Sequence, residues 1–322
     1  MKYTQNTVAI RGYVYCFGEE NGRNMLEMKV SGENSKNPGT EYIAGTIQVA
    51  VDEAGLNVIP VHFTYVTAVT SGGKTNSTFT VLKGLIDNGK TWVKDGKDNA
   101  TKVQIDTALA LNDFYVNDPQ KGETLVSSVI NEGGFVTIIN ELPKEDERNT
   151  FRCDMVITGV KHVEADGEKI KEDYATVRGA IFNFRKEVLP ITFSVRNPQG
   201  MAYFESLPLD EEPAYTKVWG DIICETKTTT VTEESAFGED AVRTFKKKTR
   251  DWVIRGCLRE CYEFGTEESI TAEELTKAMQ DREIKLADIK KRADEYKASK
   301  ATASVAPTAA AAPQGKDKKF AF

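Results

Sequence analysis

Val8-Ala9-Ile10-Arg11-Gly12-Tyr13-Val14-Tyr15-Cys16-Phe17 returns later in the chain as Ala175-Thr176-Val177-Arg178-Gly179-Ala180-Ile181-Phe182-Asn183-Phe184. Ile10 matches Val177, Arg11 matches Arg178, Gly12 matches Gly179, Val14 matches Ile181, Tyr15 matches Phe182 and Phe17 matches Phe184. Side chains of a strand alternate between its faces, so each copy sorts into two rows. Ile10, Gly12, Val14 and Cys16 form a small, aliphatic row, as do Val177, Gly179, Ile181 and Asn183. Such a row fits the interior of a small barrel, with glycine where the strand must bend. The other row opens on an arginine and runs into aromatics: Arg11, Tyr13, Tyr15 and Phe17, then Arg178, Ala180, Phe182 and Phe184. An outer face of that kind can contact phosphates and stack bases, or can be covered by a neighbouring strand or domain.

Around the first copy the pattern is all strand. Runs at about 7–18, 24–31, 42–52, 58–69 and 77–87 are separated by turn clusters such as Asn37-Pro38-Gly39 and Ser71-Gly72-Gly73. Five strands of which the first is long and glycine-bent suit the oligonucleotide/oligosaccharide-binding (OB) barrel. Tyr42 to Ile47 is loosely echoed by Tyr215 to Gly220, and Phe79 to Leu85 by Asp251 to Cys257. The expected fold is therefore mainly β: two tandem OB-like small β-barrels, residues 1–98 and 99–265. Residues 99–165 are strand-rich and are either extra strands of the second barrel, with which they are grouped, or an incomplete third. Thr271-Ala272-Glu273-Glu274 reads as a capping box that starts a helix in 266–298. Residues 299–322 are an Ala/Pro-rich linker and tip that cannot bury a core.

Composition narrows the function. The chain has 322 residues, a net charge of −7, and apolar runs far shorter than the ~18 residues of a membrane helix. Residues 1–6 lead straight into strand pattern without a signal-peptide core, so a cytoplasmic location is expected, the host's if the chain is phage-encoded. The acidity is not in the tail: residues 1–265 hold 31 Lys and Arg against 39 Asp and Glu. That balance argues against indiscriminate coating of polyanions and requires any nucleic-acid site to be a local basic groove. Five scattered cysteines make no disulfide framework, and Cys257 and Cys261 lack the further ligands of a zinc site. The residues call for no cofactor and no metal.

Enzymatic readings find little. Gly84-Leu85-Ile86-Asp87-Asn88-Gly89-Lys90-Thr91 satisfies the phosphate-loop pattern by letter. That loop needs a helix beginning at its lysine, and the following Trp92 to Asn99 reads as a strand fragment and a turn. Two histidines, His62 and His162, sit in strand-like runs outside any nucleophile context. The chain is read as a non-enzyme.

The basic stretch is Arg243-Thr244-Phe245-Lys246-Lys247-Lys248-Thr249-Arg250-Asp251-Trp252, with five cations and two aromatics. It lies ahead of the expected closing strand of the second barrel, where the hairpin helps wall an OB groove. It can equally be a solvated hairpin or an edge strand protected by lysine.

With these features the chain resembles phage-encoded single-stranded DNA-binding proteins built on OB barrels. The resemblance implies sequence-tolerant coating of single-stranded DNA in phage replication or recombination, RNA not being excluded. It also implies a C-terminal tip that docks replication proteins. Arg11, Arg178, Arg185, Arg243, Lys246, Lys247, Lys248 and Arg250 are the expected phosphate contacts. Tyr13, Tyr15, Phe17, Phe182, Phe184 and Trp252 are the expected stacking rings, and Phe320 and Phe322 the docking residues. Bacterial members end on an acidic tip closing with Pro-Phe, whereas this chain ends Lys316-Asp317-Lys318-Lys319-Phe320-Ala321-Phe322. The alternative is a virion structural or assembly protein whose β-domains self-associate.

Overall fold

The computed structural model of the chain describes residues 4–19, 22–166, 172–210, 213–233, 237, 241–263 and 270–304. Its first strands are β1 (Asn6–Phe17), β2 (Glu27–Val30), β3 (Glu41–Ala50) and β4 (Val58–Thr67). Helices α1 (Ser77–Asn88) and α2 (Trp92–Asp95) follow, then β5 (Lys102–Asp118) and β6 (Gly122–Ile138). β1 pairs antiparallel with β3 and with β5, β3 pairs with β4, β5 neighbours β6, and β4 meets β6 in parallel at Val61 and His62. Five strands thus close a ring, with β2 added on the edge of β3.

The same circuit is drawn again by β7 (Asn149–Val163), β8 (Tyr174–Phe182), β9 (Val188–Val195), α3 (Pro198–Glu205), β10 (Ala214–Glu233) and β11 (Ala241–Cys257). β7 pairs with β8 and β10, β8 with β9, β10 with β11, and β9 with β11 in parallel at Val253 and Ile254. In each ring a helix separates the third strand from the fourth, and the third lies parallel to the fifth. The molecule is mainly β, two OB-like barrels in tandem. Asn6–Ile10 of β1 pairs with Asn149–Cys153 of β7, which joins the barrels through their first strands.

The barrel interiors merge into one apolar core. Ile10, Val14, Ile47 and Ile105 are fully buried in the first barrel, and Val177, Ile181, Phe193 and Val218 in the second. The rows read from β1 and β8 thus face inward at Ile10, Gly12 and Val14 and at Val177, Gly179 and Ile181, whereas Cys16, past a register slip, and Asn183, in the turn after β8, are half-buried. At Gly12 a Cβ would run into the Ala50 carbonyl, and at Gly179 into the Val156 carbonyl, so neighbouring backbone fills the space a side chain would need.

Three expectations are corrected. Residues 77–87 form α1 and not a strand, because Phe79, Leu82 and Leu85 recur at helical spacing and enter the core. The Asn76 side chain caps this helix by accepting from the Thr78 N–H. Strands 102–118 and 122–138, grouped by sequence with the second barrel, ladder with β1 and β4 of the first. The internal echo joins strands that are not equivalent. β1 opens the first ring while β8 is the second strand of its own, and the structural counterpart of β1 is β7. The likeness of the two segments reflects a shared local demand, an aliphatic inner row with one close backbone approach.

By contacts the chain falls into two units. The larger contains both barrels and the start of α4 (Ala272–Ser304), up to residue 282. There the capping box is realised reciprocally: the Thr271 N–H donates to Glu274 Oε2 at 3.1 Å, and the Glu274 N–H to Thr271 Oγ1 at 3.1 Å. The smaller unit contains residues 113–127 and the chain from 283 onward. In it Glu123 pairs with Lys297 at 2.7 Å and Lys290 at 3.3 Å, and Lys290 lies 5.9 Å from the Tyr115 ring centre.

Candidate nucleic-acid interface

On β1 the outer row is held in place by its neighbours. Arg11 donates from Nε to Gln104 Oε1 (3.1 Å) and from Nη1 to the Glu147 carbonyl (3.3 Å). Tyr13 meets the edge of Trp92 at 5.5 Å between ring centres and 89° between planes; Tyr15 lies 6.1 Å from Trp92 at 49°. Lys97 holds its ammonium 5.7 Å from the Trp92 ring centre and 5.8 Å from that of Tyr13, while Lys102 is 6.0 Å from Tyr13. Glu53 completes the group, 2.6 Å from Lys97 Nζ and 2.6 Å from Arg148 Nη1. These two cations hold the Glu53 carboxyl far below its usual range, at about 2.

Trp92 reaches Tyr13 and Tyr15 because Thr91 turns the chain there. Thr91 Oγ1 accepts from the Lys94 N–H, and its own N–H donates to Asp95 Oδ2. A helix therefore does begin after the phosphate-loop letters, but it is one turn long, and the letters themselves lie across the end of α1. Sequence reasoning missed Trp92, Lys97 and Lys102. The signal was a tryptophan set among Lys90, Lys94, Lys97 and Lys102.

Phe17 departs from its expected place. The β1–β3 register slips between Val14 and Cys16, the alternation breaks there, and Phe17 packs against the core. Phe182 is also core. It is fully buried with Ala180, Tyr215, Ile270 and Ala278, so the first turns of α4 and the segment before them cover that part of β8. The covering alternative is the correct one for this ring. Arg178, Phe184 and Arg185 are exposed. Phe184 is 87% exposed at the tip of the β8–β9 turn, with the Arg185 guanidinium 5.1 Å from its ring centre. The turn is tied by Asn183, whose Oδ1 accepts from the N–H groups of Arg185 and Glu187.

β10 and β11 ladder only with each other from Ile222 to Glu233 and from Ala241 to Trp252, as a ribbon beyond the second barrel. The first barrel touches this ribbon at the Asn57–Glu225 bridge, and the Asn57 side chain accepts from the Cys224 N–H at 2.8 Å. On β11, Arg243, Lys248 and Arg250 are exposed. The backbones of Lys246, Lys247 and Lys248 face Thr228, Lys227 and Thr226, and the side chains of Lys246 and Lys247 lie outside the described residues. Trp252 is not an outward ring: it packs against the core, and its buried Nε1 has no hydrogen-bond partner among the described residues. With Arg250 it lines a cleft against Pro60 and His62 of β4 and Asn131 of β6. Burial, followed by the nearby Arg250 charge, pushes the His62 pKa down. Phe320 and Phe322 lie outside the described residues.

A further aromatic pair stands on the first barrel, where Tyr42 of β3 and Tyr65 of β4 have ring centres 4.5 Å apart. Among the described residues no group of three or more His, Cys, Asp or Glu could hold a metal ion, and no helix is long and apolar enough to cross a membrane.

A family model described as YorF matches residues 21–292. No curated protein matches the sequence. Among solved structures, the wild-type single-stranded DNA binding protein from Thermus aquaticus is similar at 10% identity and a TM-score of 0.46, covering 82% of this chain and 96% of that one. A deletion mutant of that protein is similar at 10% identity and a TM-score of 0.44, covering 83% of this chain and all of that one.

Proposed function

This chain belongs to the YorF family, and we propose that it binds single-stranded DNA without catalysis and with little sequence preference. One observation carries the reading. The segment Arg243–Arg250, with five cations and no acidic residue, forms one strand of a ribbon that leaves its barrel and whose base, at Arg250, meets β4 of the other. On a chain of net charge −7 that segment is the local basic track which binding to a polyanion requires. In the sequence the segment is preceded by Glu233, Glu234, Glu239 and Asp240. Stacking surface would come from Phe184 at its hydrogen-bonded turn and from the Tyr13, Tyr15 and Trp92 group, both beside cations. We assign the chain a role in coating strands exposed in phage DNA replication or recombination, a task that sequence-tolerant stacking suits.

The test is fluorescence anisotropy of a labelled oligo-dT of about 30 nucleotides, roughly the span of two OB barrels at their larger site sizes. Protein is titrated at low and moderate salt with duplex as competitor. Tight, salt-sensitive binding that duplex does not displace is the expected result. Absence of binding at low salt, where charge attraction is least screened, refutes the proposal.

A further inference from the structure

We propose that β4 carries the bound strand from the β11 ribbon to a stacking platform made by Tyr42 and Tyr65, so that both barrels share one continuous strand. The inference rests on the single-stranded DNA reading above and extends it to residues outside the basic ribbon.

The platform is built and outward. The β3–β4 register slips between Ile43 and Gly45, beside the paired residues Ile43 and Val66. Ile43 is fully buried and Val66 packs against the core, whereas Tyr65 is 46% exposed. The two tyrosine rings lie 4.5 Å apart with 37° between their planes. Tyr65 Oη shares a hydrogen bond of 3.3 Å with Ser31 Oγ, and Ser31 is itself buried, so the exposed ring is held by its hydroxyl end. A tyrosine pair with one ring about half in water adds little to a core, but it offers a preorganised π surface.

Its position ties it to the ribbon. Pro60 and His62 of β4 line the cleft with Arg250, and Tyr65 lies three residues further along the same strand. At the usual strand rise that is about 10 Å from His62. A strand whose phosphate is held by Arg250 can therefore place its next bases over Tyr65 and Tyr42 by following β4. The charges beside the rings are mixed: Lys29, opposite Tyr42, is paired with Glu27 at 3.3 Å. The platform therefore contributes stacking and little phosphate neutralisation.

The experiment compares full-length wild type with Tyr42→Leu/Tyr65→Leu and with Tyr65→Phe in the oligo-dT titration at several salt concentrations. The double variant should lose affinity by roughly ten-fold or more with an unchanged salt slope, and Tyr65→Phe, which keeps the ring and loses only its hydrogen bond to Ser31, should lose much less than that. Equal affinity of wild type and the double variant overturns the platform while leaving the DNA reading intact. So does a Tyr65→Phe loss as large as that of the double variant, since the hydroxyl and not the ring would then matter. Wild type that binds no oligo-dT refutes the parent reading instead. As a check independent of variant folding, Tyr65 of wild type is nitrated with and without saturating oligo-dT, and the peptide is read by mass. Protection of Tyr65 is expected, and full nitration in the bound state overturns the proposal.

Discussion

Nη1 of Arg148, a buried residue just ahead of β7, lies 2.6 Å from Oε1 of Glu53 in the turn between β3 and β4. Arg148 also donates to the Pro143 carbonyl from Nε and to the Val51 carbonyl from Nη1, so the link between the barrels is fixed to the first barrel by one guanidinium. Glu53 in turn holds Lys97 beside Trp92.

Removing the charge of Glu53 should therefore cost stability in a defined pH window. Its folded pKa is depressed to about 2, so its contribution is present above the unfolded value of roughly 4.3 and is lost as the pH falls through about 2. Because the side chain is 45% exposed, solvent screening limits the effect to about 1 kcal/mol, or roughly 2 °C of melting temperature. Glu53→Gln should melt below wild type at pH 7 and together with it near pH 2. Coincident melting at both pH values would show that Arg148 and Lys97 gain nothing from the carboxylate.

Gly179→Ala should destabilise the second barrel by on the order of 1–3 kcal/mol, since the new methyl would meet the Val156 carbonyl and the Met155 side chain. Gly84→Ala is the control, because it faces open space in α1 and should be neutral or slightly stabilising. Denaturant unfolding of both variants decides it. A Gly179→Ala midpoint equal to wild type would mean that β7 yields at no cost.

These glycines also mark how far the sequence could be read. Period-two alternation gave the inner rows of β1 and β8 correctly, because burial on one face imposes it. The aromatic row was harder, since an outward strand residue meets water or another element according to tertiary contacts that alternation does not encode. Tyr15 met Trp92, Phe182 met the start of α4, and only Phe184 kept its ring in solvent. Thr-Phe-Thr-Val-Leu at the start of α1 has β-branched residues that suit a strand, and the three-residue spacing of Phe79, Leu82 and Leu85 was the competing signal that prevailed. Tyr42 and Tyr65 pair across a register slip, which a single-strand pattern does not register.

Phe182 and Phe184, two residues apart, should separate folding from binding. Phe182→Ala leaves a cavity under α4 and should cost about 3–5 kcal/mol, seen as a large drop in melting temperature. Phe184→Ala removes an exposed ring and should leave stability within about 0.5 kcal/mol while weakening oligo-dT binding. Unchanged binding by Phe184→Ala would remove this ring from the interface.

The ribbon is tested through salt. Each phosphate neutralised on a single strand contributes about 0.7 to the slope of log affinity against log salt. Lys246→Ala/Lys247→Ala/Lys248→Ala should therefore flatten that slope by about 2 if all three lysines meet phosphates, and weaken binding most at low salt. The backbones of these residues face Thr228, Lys227 and Thr226 across a two-stranded ladder, which alanine at these positions preserves. The melting temperature should change little for the same reason. Stacking variants such as Phe184→Ala should lower affinity at every salt concentration in parallel with wild type. A triple lysine variant whose slope matches wild type would place the phosphate track elsewhere, on the lysines around Trp92 first of all, and Lys94→Ala/Lys102→Ala would then be expected to show the lost slope.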